Sequence, residues 1–144
     1  MSDPGAPPVP EHAQAWGKAL RHLAEAAAMD LALTPAAAVH SAYYAMHLAA
    51  RAVLLLLDGE RASTRHGVVI RGGRFGQIAA NAVAGRDVLM QAGRDLNRMY
   101  EQRVAADYDI DELTSADVAR DCVEKARRFV ATCAAVFGDR LDKS

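Results

Sequence analysis

A chain of 144 residues is the size of one domain, and 51% hydrophobic with 24% charged residues is the composition of a soluble globular protein with a single buried core. Aromatic residues make up only 6%, and most of the apolar content is Ala, Leu and Val, which disfavours a β-sandwich and predicts an all-α domain of closely packed helices. The formal net charge of -1 excludes a uniformly basic or acidic protein but conceals a segregation: residues 61–103 carry eight arginines against Asp87, Asp95 and Glu101, a net of +5, and residues 104–124 carry seven acidic residues against Arg120, a net of -6. A basic segment thus meets an acidic one at Arg103, an asymmetry that suits a phosphate-bearing partner and also suits arginines on solvated helix faces.

Residues 1–10, MSDPGAPPVP, lack the basic start and apolar stretch of a signal peptide and read as a flexible lead-in. From Glu11, Trp16, Leu20, Leu23, Ala27 and Leu31 recur every three or four residues, one face of a helix ending before Thr34-Pro35. Thr34 can cap a second helix that opens on Pro35, where the missing N–H costs nothing, and runs to about Asp58 with Gly59 as its stop. Its apolar positions (Val39, Ala42, Tyr43, Met46, Ala50, Val53, Leu54, Leu57, with Leu55 and Leu56) spread wider than one stripe, so this helix packs on two sides, one of which could be another subunit. His40, Ser41, His47 and Arg51 interrupt the stretch from Ala36 to Leu57, which makes it a poor membrane span and a good buried helix.

Between Glu60 and Gly85 the glycines at 67, 72, 73 and 76 break the pattern, predicting a basic loop with one or two short helices. A long helix follows from about Arg86, with Val88, Leu89, Ala92, Leu96, Met99 and Val104 inward and Arg94 and Arg98 on another face. "TSAD" reads as a capping box from Thr114 to Asp117 for the last helix, whose inward face is Val118, Cys122, Ala126, Phe129, Val130 and Cys133. Asp121-Lys125 and Glu124-Arg128 are spaced for surface pairing. Cys122 and Cys133 read as small core residues in a reducing compartment, and a cytoplasmic location is expected. The predicted architecture is an up-and-down bundle of four to five helices, one domain over 11–138 with a tail over 139–144.

"EQRVAADYDIDELT", residues 101–114, sets Arg103 ahead of Asp107, Tyr108, Asp109 and Asp111. A guanidinium is shaped to grip phosphate oxygens in a fork, and a phenol can position or protonate an oxygen. On a continuous helix, five residues turn through roughly 500°, leaving positions 103 and 108 about 140° apart. They share a pocket only if the helix breaks between them or a second copy supplies one of the pair. The alternative is an arginine that closes the helix end by pairing with Asp107 or Asp109 above a packed tyrosine. His40, Tyr44 and His47 lie on one face of the second helix, but a His-x6-His pair without an acidic third ligand is weak evidence for a metal, and no metal or cofactor is expected. Ser41 has no activating base, which rejects a hydrolase triad. "STRHGVVIRGGRFG" gathers Arg65, His66, Arg71 and Arg74 with flexible glycines, lacks the Lys-Ser/Thr end of a P-loop, and suits either a solvated loop or a grip on an RNA backbone.

Taken in order, "HSAYYAMHLAARAVLLLLDGE", "STRHGVVIRGGRFG", "RVAADYD" and "LTSADVARDCVEKARRFV" resemble the HEPN superfamily of small helical bundles, in its branch of stand-alone proteins, over roughly residues 12–137. The resemblance implies a homodimer in which two copies of an Arg-x4-6-His motif meet in a cleft and cleave RNA without metal. It also implies the role of toxin in a toxin-antitoxin pair, neutralised by a small nucleotidyltransferase. Arg103 matches the motif arginine, and the motif histidine falls at Tyr108, with Asp107 the polar neighbour of an Asp-Tyr variant. Ser41, Tyr44 and His66 resemble recurring positions of the family, Ser41 and Tyr44 in a supporting role, and Arg65, His66, Arg71, Arg74 and Arg98 are the expected RNA-binding residues. No histidine lies within seven residues after Arg103, so the usual acid/base group is absent. A second reading is a binding partner without catalysis, in which the chain docks the nucleotidyltransferase and Tyr108 accepts an adenylyl group. A third is a dimerisation module carrying a relic of the motif.

Overall fold

The computed structural model describes residues 8–59, 74–82, 85–108 and 115–142, apart from the side chains of Arg74 and of residues 104–108. Among the described residues there are five helices and no strand: α1 (Glu11–Ala28), α2 (Pro35–Asp58), α3 (Arg74–Asn81), α4 (Arg86–Tyr108) and α5 (Ala116–Leu141). The expected all-α bundle is what forms. Among the described residues α2 touches all four other helices, most extensively α1 and α5.

That central position follows from composition. Ala38, Ala42, Ala45, Ala49 and Ala52 recur at steps of four and three along α2 and are all fully buried, and α1 answers with Ala15, Ala19 and Ala26. Small side chains along facing seams let two helix backbones approach towards the short end of the usual spacing of about 8–10 Å. Larger side chains fill the space beyond the seams: Trp16 from α1, Val39, Met46, Val53 and Leu54 from α2, Phe75 from α3, Leu89, Leu96 and Met99 from α4, and Phe129 and Leu141 from α5. Phe75 and Phe129 pack with ring centroids 5.3 Å apart, which ties the short α3 to α5.

The alanine seams explain where sequence periodicity misplaces the inward faces. Leu20 is 42% exposed, Ala27 is exposed, and the buried stripe of α1 lies one residue round at Ala15, Trp16, Ala19 and Ala26. Val88 and Val118, expected inward, are 52% and 40% exposed, and Leu57 is also exposed. Both valines stand in the first turn of their helices. There the side chain overhangs the helix start rather than the neighbouring helix.

Three ends are set differently from expectation. α1 stops at Ala28, short of Thr34-Pro35, because the Asp30 carboxylate accepts from the backbone N–H of Ala32 (3.0 Å) and of Leu33 (3.3 Å) and nucleates a turn. Thr34 occupies the N-cap position of α2 without capping it, because its hydroxyl donates backwards to the carbonyl of Asp30 at 3.0 Å. α5 is capped by Ser115, whose Oγ accepts from the backbone N–H of Val118 at 3.1 Å, one residue later than the expected box; Thr114 lies outside the described residues. Gly59 does end α2, at φ +61°, a conformation that side chains disfavour. Gly85 opens α4 at φ +72°, and an added Cβ there would stand 3.0 Å from Val136. α5 continues past 138 to the fully buried Leu141.

Replacing Ala19 by Leu should cost about 1–3 kcal/mol, because the seam has no room for three more carbons. Leu20→Ala, one residue away and exposed, should stay within about 0.5 kcal/mol. Urea unfolding followed by circular dichroism reads both. Equal losses would show that α1 does not pack through its alanine face.

Candidate functional site

Polar rings collect where α1, α2 and α4 approach the same end of the bundle. α2 supplies His40, Tyr43, Tyr44 and His47 within two turns, so side chains four apart stack: His40 on Tyr44 (centroids 5.6 Å, 12° from parallel) and Tyr43 on His47 (5.9 Å, 18°). Tyr43 meets Tyr44 edge to face at 5.4 Å. α1 adds His22, 6.0 Å from Tyr44, and α4 adds Tyr100, 6.1 Å from Tyr43. Tyr43 and His47 are buried, whereas His22, His40, Tyr44 and Tyr100 are part-exposed.

Arg103 closes this cluster. Its guanidinium carbon lies 5.2 Å from the ring centre of Tyr43 and 6.0 Å from that of Tyr44, both within the range of a cation–π contact worth about 0.5–2 kcal/mol. Arg103 is itself part-exposed. Stacking engages the flat face of a guanidinium, whereas its N–H donors point outward in the plane, the direction from which it forks a phosphate. An arginine seated in this way is oriented by rings; its Nε is buried, while the residue as a whole is part-exposed. Burial pushes the Tyr43 phenol well above its ordinary value, opposed by the positive charge of Arg103 and reinforced by Tyr100 and Tyr44. At neutral pH it is a neutral ring and not a base.

Of the residues expected at the site, Arg103 and Tyr44 are brought together, and Ser41, part-exposed, lies one turn before Tyr44 on α2. α4 is helical without a break through Tyr108. The side chains of Asp107 and Tyr108, and that of Arg74 at the start of α3, lie outside the described residues, as do Arg65, His66 and Arg71 entirely. Arg98 is exposed and faces the other side of α4, in an open groove against α5 that Arg94, Arg98 and Lys125 share with Asp95, Glu101 and Asp121. Three acids against three bases make that groove a poor phosphate site among the described residues. His40 and His47 stack on different tyrosines, and no group of three or more His, Cys, Asp or Glu among the described residues is placed to hold a metal.

The α4–α5 interface departs from expectation. Lys125 pairs with Asp121 (2.6 Å) but is only 7% exposed, and its ammonium also donates to Gln102 at 3.3 Å. Glu124 pairs with Arg127 at 3.5 Å instead of Arg128, and Arg128 reaches across to Asp95 at 3.5 Å. The Asp95 carboxylate also accepts from Gln91 at 3.1 Å. Tyr43 is at once a core residue and a member of the cluster, and Tyr100, which belongs to no motif, stands three residues before Arg103 on one helix, the spacing of neighbouring side chains.

Compared with known protein families, residues 13–136 match the family described as HEPN domain, a span that takes in Arg103 and every ring of the cluster. No curated protein matches the chain. No helix among the described residues is long and apolar enough to cross a membrane.

Cys122 and Cys133 are free and fully buried. Burial pushes the Cys133 thiol up to about 12 and the Cys122 thiol up to about 11, the latter against the lowering effect of Lys125. Both are raised above the ordinary value of 9.0, so the folded state holds its thiol protons where the unfolded chain releases them. The stability they contribute is complete below pH 9 and drains away as pH rises towards 11–12, at about 1.4 kcal/mol per pH unit for Cys133. Urea midpoints at pH 8 and pH 10.5 should therefore fall apart, and Cys133→Ala should narrow the gap. A gap unchanged by that substitution would mean that the thiol titrates freely in the folded protein.

Proposed function

The chain belongs to the HEPN family, and from that membership we propose that it is an RNA-cleaving protein, a metal-independent endoribonuclease acting as the toxin of a toxin-antitoxin pair, with Arg103 at its centre. The observation that carries the reading is Arg103 itself, part-exposed on α4 and laid over the rings of Tyr43 and Tyr44. A guanidinium fixed in advance can meet the charge that develops on a phosphate without reorganising at the moment of reaction.

In the proposed reaction the RNA 2′-oxygen attacks the adjacent phosphorus and gives up its proton to solvent. The P–O5′ bond breaks, and the 5′-oxygen takes a proton, leaving a 2′,3′-cyclic phosphate and a 5′-hydroxyl. Arg103 stabilises the extra charge on the five-coordinate phosphorus. A phenol is a better proton donor to the 5′-oxygen than a base at neutral pH, and that is the role proposed for Tyr108. Because α4 is unbroken between them, positions 103 and 108 of one chain stand about 140° apart. The pairing therefore draws Arg103 from one subunit and Tyr108 from a second copy of the chain, which is the reason to propose a homodimer.

The same unbroken helix favours one alternative, in which position 108 is turned away from the arginine and is offered to a nucleotidyltransferase. There the phenol oxygen attacks the α-phosphorus of ATP and pyrophosphate leaves.

Purified protein incubated with RNA in EDTA should yield 2′,3′-cyclic phosphate ends, and Arg103→Ala should slow this by about 10²-fold or more. Arg103→Lys, which keeps the charge and loses the fork, should fall between. Equal decay with all three proteins would remove the ribonuclease reading. Light scattering should report two chains per particle, and a monomer would break the shared site. Mass spectrometry after co-expression with a partner nucleotidyltransferase separates the alternative, since only that reading adds nucleotide to Tyr108.

A further inference from the structure

We infer that Lys18 and Arg51 form a second phosphate-binding subsite, which holds another phosphodiester of the RNA engaged at Arg103; this rests on the ribonuclease reading and specifies where its substrate lies. α1 and α2 run antiparallel, and the part-exposed side of α2 along their seam is the strip His40, Tyr44, Leu48, Arg51 and Leu55, at steps of three and four. Contacts fix what α1 sets against that strip. His22 lies 6.0 Å from Tyr44. Two turns along, Glu11, Gln14 and Lys18 line a cavity of about 210 Å³ together with Leu48, Arg51 and Leu55.

The charges in that cavity are out of balance. Lys18 is exposed and Arg51 part-exposed, and neither makes an ion pair or a hydrogen bond among the described residues, although Glu11 shares the cavity. Glu11 stands in the first turn of α1, where the positive end of the helix suits a carboxylate. Arg51 is the only Lys or Arg in a helix otherwise almost without charge. Two cations from different helices, set beside the apolar side chains of Leu48 and Leu55, hold an anion more firmly than they would in open water, because low-dielectric walls focus their field. The guanidinium supplies a fork for phosphate oxygens and the ammonium a point charge.

Continuity with the proposed site identifies the anion. From Arg51 the strip runs past Leu48 to Tyr44, whose ring centre is 6.0 Å from the guanidinium carbon of Arg103. Positions 44 and 51 are about 10.5 Å apart along the axis of α2, and phosphates succeed one another about every 3.4 Å of rise along one strand of a duplex, so the two cationic points stand about three nucleotides apart. An RNA lying along the seam supplies both phosphates from one molecule, whereas a small anion or an acidic side chain satisfies only one point.

The probe is a fluorescein-labelled 2′-O-methyl RNA oligonucleotide, which lacks the attacking hydroxyl and stays intact, titrated by anisotropy against the full-length protein at several salt concentrations. Each lost phosphate contact makes the slope of log affinity against log salt shallower by about 0.7–0.9, so Lys18→Gln combined with Arg51→Gln should change it by about 1.4–1.8. Lys18→Gln alone, at an exposed position, should give half of that, which keeps the test valid if the double variant fails to fold. Arg94→Gln removes an equal charge from the groove between α4 and α5 and should leave the slope as it is. A slope unchanged in the Lys18 and double variants, or one that falls as far in Arg94→Gln, overturns the inference while the cleavage assay still judges the ribonuclease reading. A double variant that keeps its slope but loses its dimer in light scattering assigns the pair to a subunit contact and overturns it too. Failure of the unmodified protein to bind the RNA overturns both.

Discussion

The enclosure of α2 is the constraint on which the remainder of the structure depends. A helix touched by every other helix among the described residues can carry almost no charge, and α2 has none in its first four turns. Apart from Ser41, its polar side chains there are flat rings with polar tips, His40, Tyr43, Tyr44 and His47, which bury apolar area and stack on one another at four-residue spacing. Such a cluster is electron-rich on its faces. The side chain that best satisfies it from outside is a flat, weakly hydrated cation, which is what Arg103 brings from α4. A lysine would bring the charge without the matching plane and at a higher desolvation cost. The same contact therefore helps close the core and holds the guanidinium beside the rings.

α4 divides the polar chemistry of the molecule between two of its sides. Towards α2 it presents Tyr100 and Arg103 to the rings. Towards α5 it presents Asp95 and Gln102 to Arg128 and to the buried Lys125, whose ammonium is held by Asp121 and Gln102. Breaking that second set by removing one partner leaves a buried charge uncompensated, so it serves to fix the register of α4 against α5. Gln102 and Arg103 are adjacent in sequence. The network that anchors the first also limits how far the second can drift from the rings.

The fold was largely legible. The alanine-rich, aromatic-poor composition announced close-packed helices, and Pro35 with Gly59 bounded α2 to the residue. What escaped was rotation about each helix axis, because periodicity weighs Leu20 above Ala19 whereas a close seam buries the smaller residue. Ends escaped for a related reason: Asp30 and Ser115 act through particular hydrogen bonds that compete with equally plausible neighbours, Thr34 and Thr114. At the site, Arg103 and Tyr44 were legible as a motif arginine and a polar position on α2. Their meeting was not, since nothing local in sequence relates residues so far apart. The charge segregation misled in a similar way, because Arg94 and Arg98 belong to the basic segment in sequence yet share a groove in space with Asp95, Glu101 and Asp121.

Tyr108 in place of the motif histidine changes which half of the proposed reaction is assisted. A phenol near pKa 10 is protonated at neutral pH and can give a proton to the departing 5′-oxygen, but it cannot take one from the 2′-hydroxyl. General-base help of that kind is worth about 10²- to 10⁴-fold, and the cluster does not replace it from Tyr43, whose buried phenol is harder still to ionise. On the proposed mechanism the rate then rests on charge stabilisation by Arg103 and on a substrate held so that its 2′-oxygen is in line with the bond to be broken. Positioning of the substrate carries correspondingly more of the proposed catalysis, because a nucleophile without a base reacts only from the small fraction of geometries already aligned.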